Sequence, residues 1–204
     1  MRSVIVKKSE DSVISDRSEI VVTLLMNKCF IPGIALDVCN IVIANSTGSP
    51  PDPEFLESVI QRLYRSRKFF KEWQDRYWNI LGGCDDVSPG SANHDSHCKV
   101  YANFIACLMV TSRLLAAISP KDRREAEGCA QKLALEMVQL ENDVKSSPTW
   151  LFMAQTVIVA RATRATAEEW RPKSETEDEN YTDEKGLVSV GKLVQWAKMF
   201  GRRC

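Results

Sequence analysis

Seven cysteines, at positions 29, 39, 84, 98, 107, 129 and 204, form no C-x-x-C pair anywhere in the 204-residue chain. An odd number of widely spaced cysteines does not read as a secreted disulfide framework. The N-terminal MRSVIVKKSEDSVISDRSE has too short an apolar run for a signal peptide, and charges follow at once. Cys107 and Cys129 fall in apolar helical contexts and read as buried free thiols in a reducing compartment. Net charge is missing as well, because 27 Lys and Arg balance 27 Asp and Glu. That excludes nucleic-acid binding by bulk charge, and equally an acidic, disordered chain. The longest mostly apolar stretch, residues 100–118, is interrupted by Asn103 and Arg113. It falls short of the roughly twenty apolar residues of a spanning helix, so no membrane is expected.

Catalytic signatures are scarce. There is no G-x-S-x-G elbow, no G-x-x-x-x-G-K loop and no G-x-G-x-x-G fingerprint. The only histidines are His94 and His97, so a Ser–His or Cys–His pair would have to use one of them. Strand–helix alternation and internal repeats are absent too.

What is present is helical periodicity. With 44% hydrophobic and 26% charged residues, the composition is that of a globular domain. Residues 1–18 mix charges of both signs and are expected to fray. Residues 20–25 (IVVTLL) fit a short strand or the start of a helix equally well. Pro32 opens a helix through Asn45 with Ile34, Val38, Ile41 and Val42 on one face, and the breaker NSTGSPPDP (45–53) follows.

From Pro53 to Leu81 the residues Leu56, Leu63, Phe70 and Tyr77 recur at seven, flanked by Ile60, Trp73 and Ile80, which is one apolar stripe. The basic residues among them, from Arg62 to Arg76, read as the solvated face. Residues 82–97 read as a glycine-rich polar loop. Residues 101–118 are apolar nearly all round, the mark of a central buried helix.

Ser119-Pro120-Lys121-Asp122 is a capping-box pattern. It opens a helix with Ala126, Ala130, Leu133, Met137, Leu140 and Val144 on one stripe. Ser147-Pro148 opens another, from Thr149 to Trp170. Residues 173–185 carry six carboxylates against two lysines and read as a solvated acidic loop. A last helix from Val188 to Phe200 is expected to bury Val190, Leu193, Val194, Ala197 and Phe200.

Three clusters bear on chemistry. His94-x-x-His97-Cys98, with Cys84 across the loop, offers metal ligands, but a structural zinc site needs four in tight geometry. Asp85-Asp86 and Asn142-Asp143-x-x-Ser146 are similar to the magnesium motifs of class I terpene synthases. No further carboxylate follows Asp86 at the needed spacing, however, and Trp150 stands where a glutamate is needed. Asp143 and Ser146 also suit capping between two helices. Finally, the Leu56–Leu63–Phe70–Tyr77 spacing fits a coiled-coil seam for dimerisation, or packing within one domain.

The order of segments is more informative. FFKEWQDRYWNIL (69–81) and YANFIACLMVTSRLLAAISPKDRREAEGCAQKLALEMVQLE (101–141) carry a resemblance. So do WLFMAQTVIVARATRATAEEWR (150–171) and LVSVGKLVQWAKMFGRRC (187–204). Together, over about two thirds of the chain, they resemble the C-terminal helical regulatory region of fungal zinc-cluster (six-cysteine, binuclear) transcription factors. The resemblance implies a non-enzymatic regulatory module that needs no cofactor and works in the nucleus; without it, a cytoplasmic location is the expectation. The spaced cysteine triplets of the family's DNA-binding cluster have no counterpart here, so no direct nucleic-acid contact is carried over.

The resulting expectation is an all-α, single-domain bundle of six to seven helices. A helical annex and linker (19–52) precede the main domain (53–204). Function is expected through recognition of a protein or effector, with dimerisation as one form of it. No residue is assigned a catalytic, cofactor-binding or metal role. The alternative is a small all-α enzyme or metal-dependent protein using the 84–98 loop.

Overall fold

A computed structural model describes residues 13–81, 92–144, 148–170 and 186–200. Among these residues the protein is all-α, with no strand. Seven helices of eleven or more residues form the bundle. They are α1 (Val13–Lys28), α2 (Ile31–Ser46), α3 (Pro53–Leu81), α4 (Ala92–Ile118), α5 (Arg123–Val144), α6 (Thr149–Ala165) and α7 (Val190–Phe200). A 3₁₀ turn (Pro120–Asp122) precedes α5, and a one-turn helix (Ala167–Trp170) follows α6. The acidic segment 173–185, residues 1–12, Cys84, Asp85, Asp86, Ser146 and Cys204 lie outside the described residues.

α4 is the axis, because a helix that is apolar on every side is satisfied only at the centre. Its first half packs with α1, α3, α5 and α6 around Phe70, Trp73, Phe104, Ile105, Met109 and Met137. Its second half packs with α2, α3, α6 and α7 around Val38, Leu63, Leu115, Ile118 and Trp196. α1 and α2 run antiparallel to α3. The indole of Trp73 donates to the Ile20 carbonyl at 2.8 Å near one end, and Arg62 pairs with Asp37 near the other. The segment 19–52 is thus laid along the bundle.

The breaker after α2 is a Schellman turn. Ser49 N–H donates to Ala44 C=O at 3.1 Å and Gly48 N–H to Asn45 C=O at 3.4 Å, with Gly48 at φ 77°. α3 then starts on Asp52, whose carboxylate accepts from Glu54 N–H at 3.1 Å, with Pro53 in the first turn.

Several sequence expectations are corrected. Residues 20–25 are helical, with Ile20 and Leu24 one turn apart on the core side, and α1 begins inside the segment expected to fray. α4 begins at Ala92, so His94 and His97 sit on a helix rather than in a loop; Asp95 in the first turn suits the positive helix end. Ser119 makes no capping bond to a backbone N–H, and its hydroxyl donates instead to the Asp122 carboxylate.

The helix expected from 149 to 170 breaks at Thr166. The hydroxyl of Thr166 bonds back to Ala162 C=O at 2.8 Å while accepting from Arg113. On α7, Leu193 and Trp196 are buried, whereas Val194 and Ala197 face out. The large indole, bonded to Thr163, sets the rotation of that helix. On α3, Leu63, Phe70 and Tyr77 face the chain's own core, so of the two uses open to that spacing the structure shows packing within the domain.

Candidate functional site

His94 and His97, three residues apart, diverge. His94 is buried one turn from Cys98, with Nε2 3.5 Å from the thiol sulfur. Burial foremost, with the charges of Asp143 and Asp95, pushes the Cys98 thiol up to about 11. A buried thiol held neutral is a poor nucleophile and a poor metal ligand. His97 turns the other way. Its Nδ1 lies 3.0 Å from the Tyr77 hydroxyl, and its ring stacks with Tyr77 and Tyr101 at centroid distances of 5.7 and 5.2 Å. Burial, then the nearby His94, lowers its pKa. Asn142 and Asp143 are exposed on the last turn of α5. No group of three or more His, Cys, Asp or Glu able to hold a metal ion occurs among the described residues.

Among the described residues, the most elaborate polar cluster lies where five helical segments meet, around Arg113. This side chain has no solvent exposure. Its Nε and Nη2 donate to the two oxygens of Glu127 at 3.0 and 2.8 Å, and Nη1 donates to Thr166 Oγ1 at 2.6 Å. The guanidinium carbon lies 4.2 Å from the centre of the Trp170 ring and 5.3 Å from that of Trp196. Gln131 bridges Glu127 and the Thr163 carbonyl at 2.7 and 2.9 Å. Burial lowers the Arg113 pKa, while the bond to Glu127 and its charge oppose that. The bidentate fork and the aromatic faces keep the ion pair compensated.

A second inward arginine, Arg67, grips Glu125 through both carboxylate oxygens at 3.0 and 2.9 Å. It departs from the solvated basic face of α3, where Arg65, Lys68, Lys71 and Arg76 remain exposed. Both arginines are visible in the sequence as interruptions of apolar stripes. Their partners, Glu127 and Glu125, carry no such mark.

The solvent-facing side of α1 and α2 is the opposite case. Val22, Leu25, Met26, Phe30, Leu36 and Ile43 are each at least 38% exposed. Of the exposed positions from 22 to 43, only Lys28 is charged. Among the described residues, two helical runs are long and apolar enough to cross a membrane by length and composition. Asn93–Ile118 has 89% of its most apolar window buried in the bundle, Ser18–Ser46 only 17%. The same apolar character is consumed by the core in α4 and left outside in α1–α2. The available signal was the apolar residues of 20–43 lying off the Ile34–Val38–Ile41 face.

Neither family models, curated proteins nor solved structures match this chain.

Proposed function

We propose that the chain is a non-enzymatic helical regulatory module that acts by recognition, offering a helical face to another protein. Its resemblance to the helical regulatory region of fungal zinc-cluster transcription factors suggests this role, in the nucleus and without its own DNA contact. The observation that carries the reading is the outward face of α1 and α2, apolar yet lying in solvent. Contiguous exposed apolar surface of this kind marks contact sites. The internal arrangement agrees with it, since Arg67, Arg113, Glu127 and His97 hold helices together.

The test is a reporter assay in which the chain is fused to an unrelated DNA-binding domain. The fusion is expected to alter transcription, and Phe30→Lys to abolish the effect at unchanged protein level. A fusion that behaves like the DNA-binding domain alone would sink the reading.

A further inference from the structure

We propose that the groove holding α7 is a binding site for an amphipathic, tryptophan-bearing helix of another protein, and that α7 is the chain's own displaceable occupant. This site is separate from the outward face of α1 and α2. α7 packs against α2 and α6, with Leu193 and Trp196 as its only fully buried side chains. At eleven residues it is too short to persist as an isolated helix, so the groove is what holds it in shape. An amphipathic helix laid into an apolar groove is also a standard way for one protein to hold another. The fifteen residues 171–185 that join α7 to Trp170 contain no apolar run. Such a tether spans up to about 50 Å when extended, so it does not oblige α7 to stay.

The pocket that takes Trp196 is built without α7. Glu127 and Thr166 hold the Arg113 guanidinium, which meets the Trp196 ring at 5.3 Å from its centre. Thr163 Oγ1 accepts the Trp196 indole N–H at 3.2 Å, and the Trp170 ring closes the pocket at a centroid distance of 5.7 Å. A fixed cation, a fixed acceptor and a fixed ring together select an aromatic side chain that carries an N–H, which is tryptophan. Ahead of α7 the contacts are to backbone alone. Arg123 donates to the Gly186 carbonyl at 2.6 Å, and Val188 N–H donates to the Ala117 carbonyl at 2.8 Å. Any chain entering the groove presents such groups.

α7 does not complete this site. The indole N–H of Trp170 is buried and has no acceptor. Oε2 of Glu169 is buried and has no donor, although Gln195 of α7 donates to the other oxygen at 2.9 Å. Buried polar atoms without partners penalise the state that contains them, so the docked α7 is held less firmly than its burial alone requires. The α7 of a second copy would leave the same two atoms unpaired. The occupant that fits better is a different helix, with a tryptophan in the place of Trp196 and polar groups that offer an acceptor to Trp170 and a donor to Glu169.

The probe is a fluorescein-labelled synthetic peptide of residues 187–200, titrated with the full chain and read by fluorescence anisotropy. In wild type the tethered α7 competes at high effective concentration. Full-chain Trp196→Ala, whose own α7 has lost its anchor, is therefore expected to bind the probe at least about tenfold more tightly than wild type. Gln195→Ala loses only the exposed bond to Glu169 and keeps the core, so it reads the same competition where Trp196→Ala fails to fold; it too should bind more tightly than wild type. The peptide carrying Trp196→Ala should bind none of the three chains. Equal affinity of wild type and both variants for the probe, or binding of the tryptophan-free peptide, overturns the inference. So does a wild-type chain that light scattering shows as a dimer and that the probe converts to monomer, because the occupant would then be the α7 of a second copy.

Discussion

The guanidinium of Arg113 and the carboxylate of Glu127 face each other through two hydrogen bonds, of 3.0 and 2.8 Å, at a point where neither side chain meets solvent to any useful extent. α4 and α5 are locked in register there, and the Trp170 and Trp196 rings close the other side.

Removing one partner leaves the other charge buried. Glu127→Ala is expected to lower the free energy of unfolding by about 3–5 kcal/mol in urea titration. Arg113→Met combined with Glu127→Leu should recover most of that loss, because no orphan charge remains. If the double variant is no more stable than Glu127→Ala, the cluster acts through more than its charge pair.

Trp196 attaches α7 to the bundle. Its indole is buried, donates to Thr163 Oγ1 at 3.2 Å and meets Trp170 and Phe200 edge to face. Trp196→Ala should cost about 3–5 kcal/mol. Hydrogen exchange should then rise first in residues 190–200. An even rise over all helices would show that α7 does not open separately.

Acid should loosen the junction of α3 and α4. Burial and His94 lower the His97 pKa in the folded protein. The unfolded chain therefore takes up its proton first as pH falls, near the ordinary value of about 6.5. The contribution of His97 is full above that value and declines below it. Between pH 7.5 and 5.5, wild type is expected to lose more stability than His97→Asn. Parallel curves for the two proteins would rule His97 out as the cause.

Gly48 holds a positive φ of 77° that closes the Schellman turn after α2. Gly48→Ala should cost about 1–2 kcal/mol, the penalty for an L side chain in the left-handed region, although no atom lies in the way of the new methyl group. Gly33→Ala, in helical backbone with the same open surroundings, should not lower stability. Equal losses at the two positions would show that conformation is not what sets Gly48 apart.

The sequence by itself determined the helices and most of their inward faces. Apolar spacing is a local property, and the stripes 34–42, 63–77 and 126–144 bury as their periods require. It also determined the turn at Gly48 and the start of α3 at Asp52, since capping needs only residues a few positions apart. Arg113 was legible as an interruption of an apolar run, Arg67 was read with the solvated basic face, and neither was legible as a member of a pair. Their partners come from another helix, and the distance between helices is set by the whole packing.

Tertiary structure alone decided that Arg113 and Arg67 point inward, and that α7 turns on Trp196 rather than on Val194 and Ala197. It also decided that the Leu56–Tyr77 line is consumed inside the bundle while the exposed line of Val22, Cys29, Leu36 and Ile43 is not. Both lines have the same period and nearly the same chemistry. Which one meets the core depends on the helices around α4, which bury every side of that axis and leave the far side of α1–α2 without a neighbour in the described chain.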